Sequence, residues 1–223
     1  MAKLTTTAAR EDYLKAIYQL AEAGGHQRVS TSALAERLSV RDPSVTAMLK
    51  RLAADRLVAY QPRRGAELTD AGRVATMRVL RRHRLLETFL VDMLGLDWSE
   101  VHDEAEVLEH HLSDRIVAAI DRALGHPTED PHGRPIPDAD GALQARALEP
   151  LLNLPVGATA TIREVRTEGS AHLNRWKELG LVPGARCKMV ERRELEDVMR
   201  LEVEGSEVLT GSEGIAGVQI ERD

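Results

Sequence analysis

The chain has 223 residues, 43% of them hydrophobic, enough for folded cores in two or three domains. With only 3% aromatic residues, those cores must rest on Leu, Val, Ile and Ala. The single Cys187 excludes an intramolecular disulfide, no apolar run approaches the roughly 18 residues of a membrane span, and no signal peptide is visible, so a cytoplasmic protein with no membrane partner is expected. The net charge of −6 is uneven: residues 1–84 carry +8 and the remaining 139 carry −14. That asymmetry suggests a polyanion-binding module joined to an acidic sensing or assembly module.

Thr5, Thr6 and Thr7 are placed to cap a first helix, with Glu11 and Asp12 in its first turn as the helix dipole favours. Leu14, Ile17, Tyr18 and Ala21 form its apolar stripe, and Gly24–Gly25 ends it. A second helix starts around Ser30–Ser32 and buries Leu34, Ala35 and Leu38. A tight turn follows, then Asp42–Pro43, read as a capping carboxylate and a Pro at the first helical position. In the third helix Val45, Met48, Leu49 and Leu52 share one face, while Thr46, Ala47, Lys50 and Arg51 point the other way.

Leu57–Gln61 and Ala66–Leu68 have strand composition around a basic Pro62-Arg63-Arg64-Gly65 turn. Two short helices with a small, polar and basic outer face, followed by a basic hairpin, read as a winged helix-turn-helix. A three-helix domain with a solvated basic loop is the plainer alternative. For the winged reading, Arg41, Lys50, Arg51, Arg63 and Arg64 are expected at phosphates. Pro43, Ser44, Thr46 and Ala47 lie at the start of the reading helix; Ser44, Thr46 and Ala47 are the residues expected nearer base edges.

A long helix is expected from Thr69–Asp70 to Leu94, ended by Gly95. Its Leu85, Leu86, Phe89, Leu90, Met93 and Leu94, with Leu108, Leu112, Ile116, Val117 and Ile120, are too apolar for lone surface helices and imply a homodimer interface. Val101–His111, read as a continuous helix, puts His102, Glu106, Glu109 and His110 within one narrow arc. Two imidazoles and two carboxylates on one face make a half-shell for a divalent metal, and His83 and Glu87 stand one turn apart on the preceding helix. A solvated face with local ion pairs has the same spacing, so the spacing leaves both readings open.

His126–Gly141, with Pro127, Pro131, Pro135 and Pro137, reads as a linker or irregular arm, and Asp140–Pro150 as a short helical extension. Thr159–Val165, Arg186–Arg192, Val198–Val203, Val208–Thr210 and Gly217–Ile220 read as short strands, with a small helix at His172–Leu179. Five short strands in about 70 residues suggest a small barrel.

The order of winged helix, His83-Arg-Leu-Leu-Glu87 and then Val-His102-Asp-Glu-Ala-Glu106-Val-Leu-Glu109-His110-His-Leu-Ser-Asp resembles the diphtheria-toxin-repressor family of metal-dependent transcriptional repressors. That family has iron- and manganese-responsive branches. The resemblance implies an activating metal site of Asp12, Glu106, Glu109 and His110 and an ancillary site of His83, Glu87 and His102. The matching C-terminal segment, similar to the SH3-like domain of iron-transport accessory proteins (FeoA-like), contains Glu168 and His172 as further candidate ligands. Where the iron-responsive branch has Met and Cys, this chain has Asp12 and Glu106. Exchanging two soft ligands for carboxylates favours Mn(II) over Fe(II), while Zn(II) or Co(II) can substitute in vitro. Lys15 stands where the manganese branch can carry a further Glu ligand, which argues against a binuclear site of that kind.

The expected architecture is mainly α with small β. A winged helix-turn-helix occupies 1–74, a helical metal-binding and dimerisation domain with a Pro-rich linker 75–140, and an SH3-like small β-barrel 141–223. The expected function is a homodimeric repressor that binds double-stranded operator DNA carrying an inverted repeat and controls metal-uptake genes, with no catalytic residues. Two rivals remain at this point. A metal-dependent hydrolase would show turnover but leaves the wing unexplained. A sensor of an organic ligand would lose nothing on Asp12→Ala or Glu106→Ala.

Overall fold

A computed structural model describes residues 8–25, 27–144, 146–166 and 169–223. Thr5–Thr7, the expected first cap, and Glu168 lie outside the described residues. The chain folds into two compact units. The first comprises Met1–His83, Val107–Ser113 and Pro137–Ala142; the second comprises Arg84–Glu106, Asp114–Ile136 and Leu143–Asp223.

The first unit begins with α1 (Ala8–Gly24), α2 (Thr31–Arg37) and α3 (Asp42–Ala54). Tyr13, Leu14 and Ile17 of α1, Leu34 of α2 and Val45, Leu49 and Leu52 of α3 make one core, as their helical spacing requires. Ser30 caps α2, its hydroxyl accepting from the Ala33 N–H at 3.1 Å. The start of α3 differs from expectation. Its N-cap is Arg41, which makes no side-chain cap bond, and Asp42 is already helical. The Asp42 carboxylate therefore acts on the helix dipole from the first turn, and Pro43, lacking an N–H, wastes no donor there.

Strands β1 (Val58–Gln61) and β2 (Gly65–Leu68) pair antiparallel with Val58 opposite Leu68. Val29 adds a bridge on the far side of Ala66, exchanging both backbone hydrogen bonds at 2.8 and 2.9 Å. A Cβ on Gly65 would stand 2.3 Å from the Val29 carbonyl oxygen, so only glycine lets the hairpin close on that bridge. Helix α4 (Asp70–Asp92) follows; its residues through His83 belong to this unit. Thr69 Oγ1 accepts from the Gly72 N–H at 3.1 Å and caps it.

The second unit holds the rest of α4, α5 (Val101–Leu108) through Glu106, and α6 (Asp114–Ala123). Helix α5 stops at Leu108 instead of continuing to His111, and Glu109–His111 form a turn that leads into α6. The expected single arc is therefore broken: His102 and Glu106 belong to one unit, Glu109 and His110 to the other. Met93, Leu94, Leu108 and Ile116, expected at an interface, are exposed in the single chain.

The segment read as a linker is irregular but anchored. Glu129 bridges Pro135, and Asp130 and His132 are buried. Gly133 has φ 80°, and a Cβ there would meet the Arg163 carbonyl oxygen at 1.9 Å. The expected helix over Asp140–Pro150 does not form among the described residues; Glu149–Pro150 is instead the edge strand β3, paired with Ile220 and Gln219, so sheet pairing overrides the helix-favouring Ala and Leu content of the stretch. With β4 (Thr159–Val165), β5 (Arg186–Arg193), β6 (Val198–Val203), β7 (Ser206–Thr210) and β8 (Val218–Arg222), it forms an antiparallel sheet of order β3-β8-β4-β5-β6-β7. Alternate residues such as Ala160 and Ile162, Cys187 and Met189, and Met199, Leu201 and Val203 enter one core with Leu173 and Trp176 of α7 (Ser170–Glu178).

Candidate metal centres

In the first unit the donor atoms of Asp12, Glu109 and His110 lie within 4.8 Å of one another. Helix α1 delivers Asp12, and the turn after α5 delivers the other two. His110 Nε2 is 2.9 Å from Asp12 Oδ1 and 3.6 Å from Glu109 Oε1. Its Nδ1 is 2.8 Å from Glu11 Oε2, and Glu11 Oε1 in turn is held by Arg82 at 2.7 Å. Both ring nitrogens thus face carboxylates. This suits an imidazolium, or an imidazole that donates Nδ1–H to Glu11 and presents its Nε2 lone pair to a cation. Glu11, read from sequence only as a helix-dipole residue, is therefore the partner that orients His110.

Glu109 is fully buried and held from both sides, by the Lys15 ammonium with Nζ 2.8 Å from Oε1 and by the His83 ring with Nδ1 2.6 Å from Oε2. Burial pushes its carboxyl up, but the His83 hydrogen bond and charge, together with the Lys15 ammonium, outweigh burial and hold it below the usual carboxylate range. His83, expected at the ancillary site, is thus in the first unit a partner of Glu109.

In the second unit, His102 Nδ1 is 3.2 Å from Glu87 Oε1 and its Nε2 is 3.5 Å from Glu106 Oε1. The other Glu87 oxygen faces residues absent from the sequence reading. Glu87, Asp130 and His132 are all buried, with donor atoms within 4.8 Å of one another. His132 Nε2 is 2.9 Å from the Trp98 carbonyl oxygen. A carbonyl only accepts, so Nε2 carries a proton, and Nδ1 is the nitrogen turned toward Glu87, 3.8 Å from its Oε2. Asp130 Oδ1 accepts the N–H groups of His132 and Arg134, both at 2.9 Å. Its Oδ2 is buried without a hydrogen-bond partner among the described residues, with Arg84 Nε 3.8 Å away.

Burial, then the Glu87 charge, raise the Asp130 carboxyl. Burial lowers the His132 imidazole, but Glu87, Asp130 and the Trp98 carbonyl more than reverse this. The cluster therefore accommodates added positive charge, as a proton or as a cation. An acid-x-His pair inside a Pro/Gly-rich stretch was the signal available for it. His172 is exposed on α7, its ring centroid 6.0 Å from that of Trp176, and joins neither of these two clusters.

The DNA-reading candidates share the first unit. Arg41, Pro43, Ser44, Ala47, Lys50 and Arg51 are exposed and Thr46 is half-buried, while Val45, Leu49 and Leu52 hold α3 to the core. Arg63, in the left-handed region at φ 65°, and Arg64 are exposed at the hairpin turn, which the Arg64 N–H closes onto the Gln61 carbonyl at 3.0 Å.

Three family models match the chain: iron dependent repressor, N-terminal DNA binding domain, over residues 5–66; iron dependent repressor, metal binding and dimerisation domain, over 69–138; and FeoA domain, over 149–221. The iron-dependent repressor IdeR of Mycobacterium tuberculosis (strain ATCC 25618 / H37Rv) is 36% identical over 188 residues, 79% of this chain and 81% of the relative. The diphtheria toxin repressor of Corynebacterium diphtheriae is 36% identical over 158 residues, 70% of this chain and 69% of the relative. A solved manganese-dependent transcriptional repressor in complex with manganese is similar with TM-score 0.89 at 38% identity, covering 96% of this chain and all of that one.

Proposed function

The chain belongs to the iron-dependent repressor family of metal-dependent, DNA-binding transcriptional repressors, and from that premise we propose that its corepressor is Mn(II). The observation that carries this is the donor set. Asp12, Glu109 and His110 offer only oxygen and nitrogen, with no thiolate or thioether among them. Such a set suits a hard ion, and the similar solved repressor is a manganese complex. The family resemblance also implied Glu106, which lies in the second unit with its Oε1 3.5 Å from His102 Nε2. Zn(II) and Co(II) bind most such sites more tightly than Mn(II), so either can substitute in vitro.

A divalent cation among Asp12, Glu109 and His110 would neutralise clustered carboxylates and bind the DNA-competent arrangement more tightly than others, which is what a corepressor must do. Asp12 brings α1, and so the reading domain, into that linkage; Glu11 keeps His110 in the ligating tautomer. A coupling of about 1.4 kcal/mol would change operator affinity about tenfold. We assign Glu87, Asp130 and His132, with His102 beside Glu87, to a second centre with an ancillary role. Residues 1–74 would read DNA, 75–140 sense metal and pair two protomers, and 141–223 support the second centre.

Two reading helices related by a dimer axis match an inverted-repeat operator, with metal-uptake genes as targets. The test is an anaerobic titration of operator binding against buffered free Mn(II) and Fe(II). Activation by Mn(II) in the micromolar range supports the reading; activation by Fe(II) alone overturns the choice of metal, and chelator-insensitive binding overturns the mechanism. Fe(II) is the second reading, favoured by the 36% identity to an iron-dependent repressor.

A further inference from the structure

Lys15 has a place at the Asp12/Glu109/His110 centre that nothing in the donor set requires. It is 4% exposed, and its ammonium sits 2.8 Å from Glu109 Oε1, the same oxygen that lies 3.6 Å from His110 Nε2. The other Glu109 oxygen is already satisfied by His83 at 2.6 Å. A metal ion drawing on Asp12, Glu109 and His110 must therefore share Glu109 Oε1 with a fixed positive charge or displace that charge. Both alternatives cost binding free energy, because the ammonium is buried and cannot be screened as a surface charge would be. Without metal the same ammonium relieves the carboxylate cluster, so it stabilises the state that the corepressor must outcompete.

We propose that Lys15 is a built-in competing cation that desensitises this metal centre, raising the free metal concentration at which the repressor switches. The proposal rests on the assignment of Asp12, Glu109 and His110 as metal ligands. It differs from a purely structural ion pair in sign. If Lys15 only positions Glu109, its removal disorders a ligand and weakens metal binding. If Lys15 competes, its removal strengthens binding.

The test uses the full-length protein stripped of metal, with Mn(II) titrated and the free ion followed by its electron paramagnetic resonance signal. Lys15→Met keeps the length and removes the charge. It is expected to bind Mn(II) at this centre about 10- to 100-fold more tightly, the range by which groups around a metal site tune affinity. Lys15→Arg, which keeps the charge, should stay within about threefold of the native chain, well below that range. Lys15→Gln carries the same expectation as Lys15→Met should the latter fail to fold by circular dichroism. Equal or weaker Mn(II) affinity in a folded neutral variant overturns the proposal. Asp12→Ala separates the two levels: if it removes no Mn(II) equivalent, the ligand assignment itself fails, whatever Lys15 does.

Discussion

Single residues decide how the proposed first centre would work, and Glu11 is the most informative of them. Its carboxylate joins His110 Nδ1 at 2.8 Å to Arg82 at 2.7 Å, so it fixes the ring that presents Nε2 to Asp12. Glu11→Gln keeps the shape but weakens the charge-assisted bond and lets the amide rotate its donor toward the ring. Mn(II) affinity should fall about tenfold or more, read by competition with a chelating dye; unchanged affinity would remove Glu11 from the site. That Asp12 and His110 stand together is the expectation the family resemblance carried, and the structure brings them to 2.9 Å. Glu11 was not legible in the sequence, because an acidic residue in the first turn of a helix already has a sufficient local explanation in the dipole.

At the scale of elements, the stretch from Pro127 to Pro137 changes meaning most. Pro/Gly content and lack of periodicity make it read as a linker, and it is indeed irregular. Tertiary anchoring turns that irregular backbone into a holder. Arg84 donates to the Pro135 carbonyl at 2.5 Å, the Val165 N–H to the His132 carbonyl at 2.9 Å, and Gly133 allows close approach to β4. Two ligand types separated by a proline are thereby fixed opposite Glu87. Asp130→Asn preserves the acceptor for the His132 and Arg134 N–H groups while replacing Oδ2 with an amide. It should weaken one Mn(II) equivalent by about 10- to 100-fold. The ring of Trp98, 5.3 Å from that of His132, supplies a fluorescence readout. A metal stoichiometry and Trp98 response equal to those of the native chain would show that this cluster holds only protons.

Helix α5 makes a related point. Its apolar periodicity extends past Leu108, yet Glu109 and His110 leave the helix. The buried pairs of Glu109 with Lys15 and His83 are satisfied in the turn. Local propensity is worth only a few tenths of a kcal/mol per residue, so tertiary pairing overrides it easily.

On the scale of the whole molecule, the single chain leaves Met93, Leu94, Leu108 and Ile116 exposed, although their spacing is that of buried residues. The match to a metal binding and dimerisation domain over residues 69–138 supplies a physical reason: a second protomer is the expected cover for these side chains. Ile116→Glu places a charge on a position that is 48% exposed in the isolated chain, so it costs the monomer little. In a dimer contact it should shift the protein to monomer in sedimentation velocity. Operator affinity should then fall about 100-fold or more, since the second half-site contact is no longer intramolecular. A dimer that persists with full operator affinity would place the interface elsewhere.

Sequence alone determined the winged helix-turn-helix, the run of helices behind it, the small β domain and the metal-dependent repressor family. The elements follow from hydrophobic periodicity and turn residues, local or nearly local properties of the chain, and the family from the resemblance that its motif order carries. Only the tertiary structure decided which carboxylate faces which imidazole. It took Glu109 and His110 out of α5, joined His110 to Glu11, set Lys15 and His83 on Glu109, and brought Asp130 and His132 to Glu87. Each of these pairings except Glu109–His110 joins residues far apart in the chain. They are fixed by burial, where an unpaired charge is too costly to persist and each charged group must therefore find its partner.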